Sequence, residues 1–359
     1  MTRRTGTLLL GAALLAAPAC VLPAYEEVDA QGDSIRAEGG MPAVLSEAGA
    51  CGLSHMLEPE CDACIRQNCC ELAEECGEGT ECGEDLLEPI TPLADFSEDF
   101  DPLLGCMQRE CQRECQVNWG CVGDYEWPEP EESYGFEVRV IDYAAEPSQP
   151  IAEVDVQACI EVDAACDSGR VDAVVTDDDG KAALEVPSDF DGFFTFSGGG
   201  YLDTTVKWSE PVYRATDWTH YELQESAVEA LALITGVHQS SDDEFEPGTG
   251  HFIFRVQSCL PLRYTSSGGF PSSEVAGVRV EFEPSDGASQ VFYTTESGGV
   301  STTLDASTAD GLGGAFNVPA RNITARAIDV ESGDVVAEGL VHVREGTIGY
   351  VYFLPESRR

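Results

Sequence analysis

Fifteen cysteines are the residues of this 359-residue chain with the most chemistry to offer. Eleven crowd one stretch: Cys51, Cys61, Cys64, Cys69, Cys70, Cys76, Cys82, Cys106, Cys111, Cys115 and Cys121. Thiols at that density either hold a metal or pair as disulfides. Cys61-x-x-Cys64 has the spacing of half a zinc site, and Cys111-x-x-x-Cys115 offers a looser half. A zinc signature needs two well-formed pairs and a reducing compartment. The excess of cysteines favours disulfides instead. Eleven is odd, so one of them stays free or pairs outside the stretch, and Cys259 is the obvious outside candidate. Cys159 and Cys166 are expected to form a further bridge, between opposed strands joined by a short loop around Glu161–Ala165.

The remaining reactive groups point away from catalysis. Asp177, Asp178 and Asp179 run into Gly180, and Asp189 and Asp191 precede Gly192. Hard oxygen ligands in loops suit calcium, but the alternating acids and closing glutamate of an EF-hand are missing. Asp177, Asp179, Asp189 and Asp191 are therefore read as hairpin-turn residues first and as weak calcium candidates second. The five histidines, His55, His220, His238, His251 and His342, never fall three or four apart, so none forms a helical ligand pair. There is no Gly-x-Ser-x-Gly elbow, His-Glu-x-x-His helix or P-loop, and Gly180-Lys181 lacks the glycine and hydroxyl a P-loop requires. No serine or cysteine has an activating base that spacing alone can supply. The expectation is no enzyme, no transition metal, and no cofactor beyond weakly held calcium.

The N-terminus reads as an export signal over residues 1–20. Arg3 and Arg4 precede an apolar run from Leu8 to Ala17. A run of about ten residues is too short to span a bilayer, which takes about 20, and suits a signal peptide. It ends Ala17-Pro18-Ala19-Cys20, which resembles the bacterial lipobox, whose cysteine is lipidated and becomes the mature N-terminus. Leucine is preferred where Ala17 stands, and Ala17-Pro18-Ala19 also fits an ordinary signal-peptidase site. Setting Cys20 aside leaves fourteen cysteines, an even number. The formal charge is -47, with 66 acidic residues against 19 basic ones. Two polyanions repel, so nucleic acid and anionic lipid are excluded as electrostatic partners. Membrane attachment is then through Cys20. Lys181 and Lys207 are the only lysines, the usage of a GC-rich bacterial genome. The expected location is the bacterial envelope, at the outer membrane, with its face left open.

Local patterning places these residues on elements. Residues 21–50 are acidic, rich in alanine and glycine, and read as a flexible tether. Within residues 51–123, Cys61, Ile65, Cys69, Leu72 and Cys76 mark one helical face, and Leu104, Met107, Cys111 and Cys115 a second. Glycines and prolines between them make 77–102 a loop. This is a small helical module in which bridges substitute for missing burial. From residue 134 onward, apolar residues alternate with polar ones. Phe136, Val138 and Val140 share a strand face, as do Val154, Val156, Ala158 and Ile160, and then Val171, Ala173 and Val175. Short strands with such turns predict antiparallel sandwiches. Leu223, Ala227, Ala230, Leu231 and Ile234 predict a helix over 222–237. Trp208, Tyr213, Trp218 and Tyr221 are read as a seam between the sandwiches, or as a recognition platform if exposed.

The stretch Val174-Val175-Thr176-Asp177-Asp178-Asp179-Gly180-Lys181-Ala182-Ala183-Leu184 resembles the strand–turn–strand signature of carboxypeptidase regulatory-like domains, which are transthyretin-like β-sandwiches. A second copy is carried by Gly277–Phe282, Ala309-Asp310-Gly311, and the strands Thr324–Ile328 and Gly349–Leu354. Together with Trp127-Pro128, Cys159, Cys166 and Phe190-Asp191-Gly192-Phe193, the chain is similar to cysteine-rich lipoproteins of myxobacteria and their relatives. The resemblance implies a mainly β chain. Two transthyretin-like or Ig-like sandwiches, at 134–221 and 251–356, are joined by a helix and acidic loop at 222–250 and preceded by the disulfide-rich module. His55-Met56-Leu57-Glu58 copies the two-ligand spacing of the zinc carboxypeptidases such sandwiches accompany, but no α/β domain surrounds it. The expected function is a non-enzymatic envelope lipoprotein with a structural or binding role, toward an envelope protein or a glycan. The alternatives are an accessory or specificity subunit of an envelope hydrolase, or a weak calcium-binding surface module.

Overall fold

A computed structural model describes residues 59–77, 80–86, 88, 90–91, 96–126, 133–143, 145, 149–161, 166, 173–187, 190–211, 216–235, 246–260, 275–285, 289–297 and 299–357. The export signal and Cys20, the tether, Cys51, His55, Val171, Asp189, Tyr213 and His238 lie outside the described residues.

The helical module comprises α1 (Pro59–Asn68), α2 (Cys70–Glu75), α3 (Glu81–Asp85), a 3-10 turn at Glu98–Phe100 and α4 (Asp101–Glu110). The first predicted face breaks at Cys69, whose φ of -122° interrupts the helix between α1 and α2. Backbone bonds bridge the break, from Cys69 N to Ile65 O and from Ala73 N to Cys69 O, so Ile65, Cys69 and Ala73 stay on the buried side. The stretch 77–102 is not all loop. Thr80 caps α3 by accepting a 3.0 Å bond from the Gly83 amide, a local signal that its surrounding glycines obscured. Cys111 closes α4 and Cys115 follows in turns, not on the helix. Ile65, Phe96, Phe100, Leu103, Leu104 and Met107 form a small core. Four bridges brace it: Cys61–Cys115, Cys64–Cys111, Cys69–Cys106 and Cys76–Cys82. Cys70 is also disulfide-bonded.

The rest is mainly β and built as a structural duplication. The first repeat has β1 (Ser133–Asp142), β2 (Val154–Ile160), β3 (Val174–Val175), β4 (Lys181–Pro187), β5 (Gly192–Gly198), β6 (Thr204–Trp208) and β7 (Thr216–Glu222). After α5 (Glu225–Thr235) come β8 (Thr249–Val256), β9 (Val278–Glu283), β10 (Gln290–Thr294), β11 (Val300–Ser301), β12 (Leu312–Pro319), β13 (Asn322–Asp329), β14 (Val335–His342) and β15 (Ile348–Phe353). The order β4-β1-β7 recurs as β12-β8-β15, and β2-β5-β6 recurs as β9-β13-β14. The sandwiches are not wholly antiparallel, because the last strand of each repeat runs parallel to its first. That last strand returns from the opposite sheet, a long-range choice that no local pattern encodes.

The turns repeat atom for atom. Thr176 Oγ1 accepts from Val154 N at 3.0 Å and donates to Ile151 O at 2.8 Å. Ser307 Oγ accepts from Val278 N at 3.1 Å and donates to Val275 O at 2.9 Å. Gly180 and Gly311 follow, at φ +73° and +60°. A Cβ on either would stand 2.5 Å from a carbonyl oxygen, of Val140 or of Val256, so glycine is required for both space and conformation.

The two repeats share one sheet. β6 pairs in parallel with β15, giving a nine-stranded sheet in the order β11-β10-β12-β8-β15-β6-β5-β2-β3. In that register Tyr350 faces Val206 and Val351 faces Lys207. Val206 belongs to the first core and Val351 to the second. Because side chains alternate across a sheet, the sheets β4-β1-β7 and β14-β13-β9 cover opposite faces of the central one. α5 covers the outer face of the second half, setting Leu223, Val228 and Ala232 against Phe292, Phe316 and Ile348. The third predicted strand face is reversed. β3 pairs Val174 with Val156, so Val174 turns inward while Ala173 and Val175 face solvent. Ile160, at the end of β2, is also exposed.

Candidate functional site

Beyond the module, Cys159 and Cys166 are bridged with Cα atoms 5.2 Å apart. Cys121 is bridged to Cys259, across 138 residues. The aspartates are used locally. Asp177 Oδ1 accepts the amides of Asp179 and Lys181, both at 2.9 Å, which closes the hairpin turn. Asp191 pairs with Lys207 Nζ at 3.2 Å. Among the described residues, no group of three or more His, Cys, Asp or Glu is placed to hold a metal.

Two of the four predicted seam aromatics meet at the joint between repeats. Trp208 and Trp218 lie 5.2 Å apart, and Trp208 stacks on Tyr352 of β15 at 5.6 Å. Tyr221 points outward instead and makes an edge-on pair with exposed Tyr143 at 6.2 Å. Sequence reasoning missed the polar residues beside this seam. Glu222 Oε1 accepts from Thr204 Oγ1 at 2.9 Å and lies 3.1 Å from His220 Nε2, with all three residues buried. A hydroxyl, an imidazole and a carboxylate invite comparison with a hydrolytic triad. Here both partners meet the same ring nitrogen, since Thr204 Oγ1 is 3.0 Å from Nε2, and Nδ1 is buried without a partner among the described residues. A proton relay needs the acid on one nitrogen and the nucleophile on the other. This cluster therefore lacks the geometry of a triad, and it packs the joint.

On the opposite face of the joint, Lys207 is 4% exposed and pairs with Glu161 and Asp191. His342 packs on Phe193 at 4.4 Å, with Arg344 over the same ring at 5.4 Å. Burial, then the charges of Lys207 and Arg344, lower the His342 pKa to about 4. His251, on β8, is likewise lowered to about 4 by burial, and its Nδ1 accepts the Asn317 amide at 3.3 Å.

The open concavity lies elsewhere. A cleft of about 580 Å³ opens in the helical module. Its apolar floor includes Leu86, Ile90, Phe100 and Met107, and the Cys61–Cys115 bridge lines one wall. Its rim carries four exposed acids, Glu60, Glu88, Glu114 and Asp124, and no lysine, arginine or histidine among the described residues lines it. These acids come from the start of α1, the segment after α3, and the turns after α4. Only the bridged fold brings them together, so no sequence spacing could have shown the cleft.

No protein-family model matches the chain, and no curated protein matches it. Among solved structures it is similar to the shaft pilin SpaA from Lactobacillus rhamnosus GG, at 12% identity over 62% of this chain and 98% of that one, with a TM-score of 0.19. The minor pilin GBS52 from Streptococcus agalactiae gives 11% identity over 62% of this chain and 95% of that one, also at 0.19. The Bacillus anthracis TIE protein gives 12% identity over 62% of this chain and 34% of its own, again at 0.19, so the chain spans about a third of that protein. Superpositions this loose carry no argument about function.

Proposed function

We propose that this chain is a non-enzymatic, exported protein of the bacterial envelope, related to the carboxypeptidase regulatory-like sandwiches, and that it acts by binding from a lipid anchor on Cys20. The observation that carries this reading is how the described residues spend their chemistry. Six described bridges and one continuous sheet brace the two sandwiches and the helical module. Disulfides at this density belong to an oxidising compartment. The buried hydroxyl, imidazole and carboxylate hold the joint together. None of the described helices is long and apolar enough to cross a membrane. The lipobox-like Cys20 supplies the attachment.

Fractionation of the native cell tests the reading. The wild-type chain should sediment with membranes, and Cys20→Ala should move to the soluble envelope fraction. A Cys20→Ala chain that stays membrane-bound, with processing insensitive to globomycin, would sink the anchor. Turnover of a peptide or glycan abolished by one substitution would sink the non-enzymatic reading.

A further inference from the structure

We infer that the cleft of the helical module is a docking site for a cationic, amphipathic peptide segment of a partner protein. The inference deepens the binding reading above and rests on it.

The cleft has two chemistries in one place. Its floor is apolar and fixed, since Phe100 and Met107 are almost fully buried beneath it and the Cys61–Cys115 bridge holds α1 against the turns after α4. A preformed apolar floor favours an aliphatic or aromatic side chain, and a cleft of about 580 Å³ lies within the roughly 300–1,000 Å³ of ligand sites. Its rim is of one sign. Glu60, Glu88 and Glu114 show no ion-pair partner among the described residues, and Asp124 stands on the same rim. Carboxylates around a concave surface raise the local concentration of cations and repel anions. Glycans without amino groups leave the acidic rim unused, and the headgroups of anionic lipids are repelled by it. A free metal ion would leave the apolar floor unused, and no metal-holding group is present among the described residues. The occupant that uses both is a short segment alternating lysine or arginine with large apolar side chains. Rigid walls lower the ordering cost of binding on the protein's side.

The whole chain is acidic, so the test must separate the cleft from general charge. The full exported chain, with its bridges oxidised, is titrated against fluorescein-labelled Lys-Leu-Lys-Phe-Lys-Leu and read by anisotropy. Saturable one-to-one binding is expected, weakened at least tenfold by Glu60→Gln, Glu88→Gln and Glu114→Gln together. The rim residues are exposed, so this triple variant should melt like the wild type. Thr91→Lys, which sets a cation inside the cleft, should also weaken binding at least tenfold. Three controls define failure. Lys-Ser-Lys-Ser-Lys-Ser binding as tightly would remove the floor from the argument. An equal loss from Glu137→Gln, Glu281→Gln and Asp334→Gln would reduce the effect to net charge. Absence of saturable binding by the wild type would overturn the site. Each of these failures leaves the membrane fractionation of the Cys20→Ala chain unchanged, so the docking site and the broader reading fail separately.

Discussion

At the scale of single residues, the second repeat holds two histidines in neutral form. His251 and His342 titrate at about 4 in the folded chain, against 6.5 when unperturbed. The folded state binds fewer protons than the unfolded state between these values. Each histidine therefore contributes stability that is complete above about pH 6.5 and is lost as the pH falls toward 4. The contribution is on the order of 3 kcal/mol each. For His251 the cause is burial, and protonation at Nδ1 would also break its bond from the Asn317 amide. Urea midpoints should fall between pH 7.5 and pH 4.5. In His342→Gln the fall should shrink by roughly 3 kcal/mol, the share of the missing imidazole. Identical pH dependence in the two proteins would refute this role for His342. Neither histidine was legible as special in the sequence, because the burial of His251 on β8 depends on strands far along the chain, and the company of Lys207 and Arg344 around His342 depends on β6 meeting β14. The turn residues were legible, because Asp177 and Gly180 act on their own backbone within four positions.

Elements were readable where a face is decided by neighbours in sequence. The helix expected over 222–237 is α5 at Glu225–Thr235, and the alternation of Phe136, Val138 and Val140 follows the inward face of β1. Reading failed where a partner strand decides. β3 has two residues, too few to carry a period, and its face is set by Val156 across the ladder. The parallel joins of β7 to β1 and of β15 to β6 and β8 are likewise long-range. The face of α5 gives a direct test. Val228 is buried against the outer face of the second half-sheet, while Leu233 is 75% exposed. Val228→Asp places a carboxylate in that apolar contact and should cost about 3 kcal/mol or more. Leu233→Asp should change stability by less than about 0.5 kcal/mol. Equal effects in denaturant unfolding would mean that α5 does not lie on the sheet through this face.

At the scale of the whole molecule, one bridge and one tail tie the three parts together. The Cys121–Cys259 bridge joins the helical module to the end of β8, and Cys259 N donates to Asn118 O at 2.8 Å beside it. Leu260 enters the module's core, while Trp119 and Val122 pack on the core of the second sandwich. The segment after β15 then laces the parts from the other side. Glu356 N donates to Val336 O, Gly123 N donates to Glu356 O, and the Tyr125 hydroxyl donates to Pro355 O at 2.6 Å. Ser209, from the first repeat, donates to Leu354 O at 3.2 Å and accepts the Leu354 amide at 2.9 Å. A bridge closing 138 residues should constrain the unfolded chain by about 5 kcal/mol in the chain-entropy account. The packing and the tail remain when the bridge is removed, so the module should stay docked in native conditions and separate early under stress. Cys121→Ser with Cys259→Ser, unfolded without reductant, should show two transitions where the wild type shows one. The earlier transition should carry hydrogen exchange of the helical module, and the later one the nine-stranded sheet. A single transition at the wild-type midpoint would mean that the tail, not the bridge, couples the module to the sandwiches.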